Sequence, residues 1–135
     1  MSDVNPFEAI VVAIPTSEGF LSVEGQEADD VWRAVLNVGA RHDIVVGSRF
    51  VLFALGPELK DPGSGESLGH YEIVRGRGRV THVQETMCTV SSERTVRRAI
   101  PGIIALGGRD SDDHYYDESV PFSQLRVGDF ARLIG

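Results

Sequence analysis

The sequence predicts a mainly β protein, a single small closed or partly open β-barrel of SH3- or OB-like size. Short runs of β-branched residues recur along the chain, and turns that contain glycine or proline separate them. Apolar residues make up 41% of the chain and aromatic residues only 7%, which suits an aliphatic β interior. A chain of 135 residues can bury an adequate core by itself, so we expect residues 1–135 to form one domain.

The strand pattern appears in six segments, which are residues 7–14, 49–54, 70–75, 79–84, 87–91 and 129–134. The first segment ends at Pro15, and we expect Gly19 to Val23 to return beside it as a hairpin partner. Gly76 and Gly78 lie between the third and fourth segments. Glycines inside strand-forming sequence are typical of a bulge or a sharp bend, which barrels use to turn corners.

Residues 61–65 predict the structured tip of a β-hairpin. Asp61-Pro62 can open a turn, because proline presets φ near −65° and the Asp61 carboxylate can accept the N–H two residues further on. Gly63, Gly65 and Gly69 supply positions at which a positive φ costs little. We therefore assign this loop a conformational role without a ligand.

Residues 31–38 are ambiguous between helix and strand. Their apolar residues fit helical spacing slightly better, yet the same residues also alternate as a strand would. Trp32 is a candidate interface residue by its residue type, but we expect it in the core. We expect one helical turn in Ser92 to Arg98, and an irregular insertion at about residues 94–118 that combines an apolar segment with a polar loop.

The order and spacing of several turn motifs resemble one known family, the C-terminal barrel domain of flagellar assembly protein T, and related bacterial surface-assembly proteins. The similar stretches are Asn37-Val38-Gly39, residues 43–52, Leu59-x-Asp61-Pro62-x-Ser64-Gly65-Glu66-x-Leu68-Gly69, Gly78-x-Val80-x-x-Val83 and Val127-Gly128-Asp129. The resemblance implies a small closed or nearly closed barrel that acts in protein–protein assembly, with no catalytic residues to transfer. It also implies a strand at residues 31–38. The insertion at 94–118 has no counterpart in this pattern.

The net charge of −7 is unevenly distributed. Residues 1–30 carry seven acids and no base, while residues 66–98 carry six arginines and four acids. The acidic total argues against general binding to nucleic acid or to anionic membranes. No apolar run approaches the ~20 residues of a membrane span. The N-terminal residues lack the pattern of a signal peptide, and the single Cys88 permits no internal disulfide, so we expect a cytoplasmic protein.

We expect a non-enzymatic interaction module that binds a protein partner or self-associates as a homo-oligomer. Trp, Tyr and Arg dominate binding hot spots, and an apolar insertion must pack on its own domain or on a partner. The candidate interface residues are Arg75, Arg77, Arg79, Ile103, Ile104, Tyr115 and Tyr116. The alternative is a sensor of small molecules or nucleotides that uses the barrel mouth, with residues 109–118 as a lid.

We expect no catalytic residue, no cofactor and no metal site. The acidic loop Asp110 to Glu118 contains His114 but lacks the spacing of a calcium loop. His82, Glu85 and Cys88 could converge if their strands pair, yet a lone cysteine in an alternating run is typical of a small buried apolar side chain. The sequence leaves the partner, the oligomeric state and the cellular process open.

Overall fold

The computed structural model describes residues 8–100 and 115–135. The strands in these ranges are β1 (Glu8–Thr16), β2 (Gly19–Leu21), β3 (Arg33–Leu36), β4 (Arg49–Lys60), β5 (Ser67–Val83), β6 (Cys88–Ser92), β7 (Thr95–Ala99), β8 (Tyr115–Ser119) and β9 (Phe130–Leu133), with one 3₁₀ turn at Ala40–His42. No helix in the described ranges has the length and apolar character that crossing a membrane requires.

Six strands close into an antiparallel barrel. The hydrogen-bonded order is β1-β3-β6-β5-β4-β9, and β9 pairs back to β1 through Ile10 and Phe130. β2 forms a hairpin with β1 outside this ring, and β7 and β8 form a separate two-stranded sheet. The mainly β barrel predicted from the sequence is confirmed, and within the closed ring each of the six strands pairs with a neighbour on both sides over part of its length.

The core is aliphatic and comes from alternate positions of the barrel strands. In β1, Ala9, Val11 and Ile14 are buried, whereas Ile10 and Val12 face outward. The interval from Val11 to Ile14 breaks strict alternation because the register shifts at Val12. The largest fully buried side chains are Phe50, Ile14, Leu36, Leu52, Leu125, Val11, Val80, Val90 and Cys88.

The barrel contains two turns of similar geometry, one before β4 and one before β9. Gly47 and Gly128 have φ of 98° and 99°, and each precedes a small polar residue that leads into β4 or β9. Ser48 Oγ accepts the Val45 N–H at 3.1 Å, and Asp129 Oδ2 accepts the Arg126 N–H at 2.9 Å. The sequence Val-Gly followed by a short polar residue, at residues 46–48 and 127–129, therefore marks the same turn twice.

The turn before β4 is hydrogen-bonded to β5, and the turn before β9 is hydrogen-bonded to β1. Val80 exchanges backbone hydrogen bonds with Gly47 and Ser48, and Val11 makes the equivalent pair with Gly128 and Asp129, all at 2.8–2.9 Å. The irregularity also repeats, since the register of β1 on β3 shifts around Val12 and that of β5 on β6 shifts around Thr81. The units β1-β3-β4 and β5-β6-β9 are thus related by an approximate two-fold axis.

Residues 33–36 form a strand, which resolves the ambiguity of that region. β3 lies between β1 and β6, and Ala34 and Leu36 are fully buried, so the two-residue period determines its packing. The expectation that Trp32 lies in the core is wrong, because 44% of its surface is exposed. Trp32 precedes β3, where the chain no longer pairs with β1.

The region after β6 is more regular than expected. The helical turn expected in Ser92 to Arg98 is wrong, because Thr95–Ala99 is strand β7 and pairs with β8. Residues 115–119 of the expected polar loop form β8, so the insertion begins and ends as a hairpin stem. The apolar segment of that insertion lies almost entirely outside the described residues. The pairing of β7 with β8, which includes Thr95 opposite Ser119, outweighs the local helical preference of residues 92–98.

Candidate interaction surfaces

The β4–β5 hairpin extends past the barrel as a free ribbon, which we call the arm (residues 54–74). β9 pairs with β4 only as far as Phe53, and β6 pairs with β5 only from Gly78 onward. No other described strand pairs with residues 54–60 or 67–74. Six large apolar residues of the arm are exposed, namely Leu55, Leu59, Leu68, Tyr71, Ile73 and Val74. The arm therefore presents two open strand edges and apolar side chains together.

The tip of the arm is a well-bonded turn. Asp61 Oδ1 accepts the Gly63 N–H at 2.7 Å, which confirms the carboxylate contact predicted from the sequence. The Gly65 N–H bonds to the Asp61 carbonyl oxygen at 2.7 Å, and the φ of Gly65 is 77°. Gly69 also has a positive φ, whereas Gly63 does not. This tip holds the two strands of the arm in register.

An ion pair holds the base of the arm to the barrel. Arg132 donates two hydrogen bonds to the Glu72 carboxylate, of which Nη1–Oε1 is 3.0 Å, and its Nη2 lies 3.5 Å from Glu8 Oε1. The guanidinium also covers the Phe53 ring, 4.7 Å from its centroid, and Phe53 stacks on Phe130. The hydrogen bonds from Arg132 lower the pKa of Glu72, and the same bonds raise the pKa of Arg132. The arm is thereby joined to β9 by an ion pair, beyond the point at which the backbone pairing of β4 with β9 ends.

The Glu72–Arg132 pair predicts a pH-dependent stability. Because the pKa of Glu72 is lowered from 4.5 in the folded state, its contribution is present above that value and is lost as the pH falls through the folded pKa. Glu72→Gln should lower the free energy of unfolding by up to about 1 kcal/mol near neutral pH, since the pair is partly exposed. The difference from wild type should vanish in acid.

Urea unfolding at a series of pH values measures this difference. Glu66→Gln is the matched control, because Glu66 is exposed at the arm tip and forms no ion pair among the described residues. If the loss of unfolding free energy in Glu72→Gln stayed constant from neutral to acidic pH, the predicted pH dependence of the Glu72–Arg132 pair would be wrong.

The three candidate arginines do not form one exposed surface. Arg75 has only 12% of its side chain exposed, and its Nε lies 3.3 Å from Asp129 Oδ2, so it stabilises the turn before β9. Arg79 is exposed and lies 3.4 Å from Glu93, which also pairs with Arg49. Arg77 is exposed beside the base of the arm. Only Arg77 and Arg79 are placed where a partner can reach them.

Two of the other candidate interface residues, Tyr115 and Tyr116, lie in strand β8 of the β7–β8 hairpin. Tyr115 is half-buried under Arg97, whose guanidinium is 5.2 Å from the ring centroid. Tyr116 is exposed, and its hydroxyl donates to Glu118 at 3.5 Å. Ile103 and Ile104 fall outside the described residues. The lid of the sensor hypothesis falls there in part as well, and that hypothesis stays a prediction.

Cys88, His82 and Glu85 do not converge. Cys88 pairs with Val83 but points into the core, where burial raises the pKa of its thiol to about 11. His82 and Glu85 are exposed on the outside. A thiol that stays protonated inside the barrel is a poor nucleophile. Within residues 8–100 and 115–135, no three His, Cys, Asp or Glu side chains are grouped to hold a metal ion.

The sequence did not predict the full extent of the arm. The length of the arm was underestimated, although Leu55, Leu59 and Leu68 around the Asp-Pro turn carry an apolar signal. Comparison of the chain with protein-family profiles, with curated proteins and with solved structures gives no match. The resemblance to the flagellar domain therefore stays a prediction.

Proposed function

We propose that this chain is a non-enzymatic interaction module that self-associates through its arm. The observation that carries the proposal is the free ribbon of residues 54–74, which exposes six large apolar side chains. An isolated two-stranded ribbon is marginally stable in water, and open apolar strand edges pair readily with other chains. A second copy supplies an identical edge and an identical apolar surface.

The charges of the arm favour an antiparallel, two-fold arrangement. Glu58, Asp61 and Glu66 make the tip acidic against the single Lys60, whereas Arg77 lies near the base. In a two-fold antiparallel pair the tip of one arm approaches the base of the other. Unlike charges then face each other, which favours this orientation over tip-to-tip contact.

Light scattering coupled to size-exclusion chromatography tests the proposal. The wild type should run as a dimer at tens of micromolar, and Leu68→Ser with Tyr71→Ser should give a folded monomer. These side chains are 69% and 57% exposed, so the double substitution removes apolar contact without opening the core.

The matched control is Phe20→Ser with Val45→Ser, which changes two side chains that are 69% and 62% exposed but lie away from the arm. This variant should remain dimeric. A monomeric wild type, a dimeric arm variant or a monomeric control would each refute self-association through the arm. A cytoplasmic location, expected from the sequence, stays a prediction.

A further inference from the structure

A cleft of about 770 Å³ lies beside the β1–β2 hairpin. One side consists of the end of β1, the turn after it and Leu21 at the end of β2, and the other side is the segment 27–33. Its volume falls within the range of ligand pockets, about 300–1,000 Å³. Neither the arm nor the ion pair at its base borders this cleft.

The cleft exists because the segment that precedes β3 does not pair with the end of β1. β3 pairs with β1 only as far as Ala13 and Val35. The carbonyl oxygens of Val31 and Trp32 instead accept the N–H groups of Phe122 and Ser92 at 2.8 and 2.9 Å. β2 covers the other edge of β1, so the edge of residues 14–16 toward β3 has no partner strand among the described residues.

The cleft combines an apolar floor with an exposed aromatic wall. The floor consists of the partly exposed side chains of Leu21 and Ala28, above the buried side chains of Ile14 and Val31. Trp32 is the one tryptophan in the sequence, and it lines the cleft with 44% of its surface exposed. An indole in this position offers a large contact area and a π face for a cation.

The rim of the cleft is strongly acidic. Glu18, Glu27, Asp29 and Asp30 line it against the single base Arg33. Glu27 is paired with Arg126 at 2.6 Å, but no ion pair joins the carboxylates of the other three acids to a described residue. The cleft therefore has an uncompensated negative rim around an apolar floor.

We propose that this cleft binds a basic, extended peptide segment of a partner protein. Apolar side chains of the segment occupy the floor, and Lys or Arg side chains alternate with them to meet the acidic rim and the Trp32 face. The cleft borders the unpaired edge of β1 at residues 14–16, which suits an extended backbone. Pro15 removes one N–H from that edge, so side-chain contacts carry most of the selectivity.

Titration with a synthetic eight-residue peptide of alternating Lys and Val tests the proposal. Because Trp32 is the sole tryptophan, its fluorescence reports binding at the cleft directly. The peptide should saturate the signal, the affinity should fall with added salt, and a Glu-for-Lys peptide should not bind.

The double variant Asp29→Asn with Asp30→Asn should bind the Lys-Val peptide roughly tenfold more weakly, on the order expected for two exposed charge contacts. Asp43→Asn with Glu85→Gln makes the same change in net charge at two exposed residues outside both the cleft and the arm, and it should leave the affinity unchanged.

No saturation at millimolar peptide, equal binding of the Glu-for-Lys peptide, or equal weakening in the control would overturn the proposal. Spermine binding as tightly as the peptide would also overturn it, because the apolar floor would then contribute nothing. Calorimetric titration of Trp32→Ala supplies a second readout, with a loss of affinity expected. The monomeric arm variant should bind the peptide as the wild type does.

Discussion

Replacing Gly39 with alanine is expected to lower the free energy of unfolding by about 3 kcal/mol or more. A Cβ at residue 39 would lie 2.2 Å from the Gln84 carbonyl oxygen, 2.6 Å from the Met87 nitrogen and 2.8 Å from the Glu85 carbonyl oxygen. All three atoms are backbone, so no side-chain rotation relieves the overlap. The β5–β6 turn would have to move away from the chain between β3 and β4.

The same contact is held by hydrogen bonds that the displacement would break. The Ala40 N–H bonds to the Gln84 carbonyl oxygen at 2.9 Å, and the Arg41 N–H bonds to the Glu85 carbonyl oxygen at 3.1 Å. Urea unfolding followed by circular dichroism measures the cost. The control is Gly63→Ala at the arm tip, where the nearest atom to an added Cβ is a side-chain oxygen of Asp61 at 3.3 Å. A Gly39→Ala variant within about 0.5 kcal/mol of wild type would disprove the close approach.

Asp129→Ala is expected to destabilise the protein by about 3 kcal/mol. Asp129 Oδ2 accepts from the Arg126 N–H and from Arg75 Nε, and both side chains of the ion pair are nearly buried. Alanine removes the turn contact and leaves the Arg75 guanidinium in the interior without its counter-charge. Removing one partner of a buried pair costs more than the net contribution of the intact pair.

The approximate two-fold symmetry supplies the matched comparison for this prediction. Ser48 occupies the equivalent turn and is equally buried, but among the described residues its hydroxyl accepts only the Val45 N–H and contacts no charged group. Ser48→Ala should therefore cost about 1 kcal/mol. Asp129→Asn, which keeps an acceptor for the Arg126 N–H, should fall between the two. If Ser48→Ala and Asp129→Ala lowered the free energy of unfolding equally, the charge of Asp129 would contribute nothing to stability.

Local sequence was sufficient wherever backbone geometry is set by a few adjacent residues. The Asp61 turn and the positive φ of Gly65 were predicted because proline, a short carboxylate and glycine restrict the chain without help from distant contacts. The same sequence, Val-Gly followed by a short polar residue, forms both turns into β4 and β9 for the same reason. The buried state of Cys88 followed from the alternation of its strand.

The tertiary structure decided every feature that depends on a distant partner. Residues 33–36 became a strand because β1 and β6 supply hydrogen bonds on both edges, and residues 95–99 did so because residues 115–119 pair with them. Arg75 was separated from Arg77 and Arg79 by the register shift opposite Leu52, which directs its side chain toward Asp129. The exposure of Trp32 depends on where the pairing between β1 and β3 ends. Pairing between strands that are distant in sequence outweighs the local conformational preference of a segment. The sequence therefore predicted the barrel class, but it did not predict which surfaces the barrel exposes.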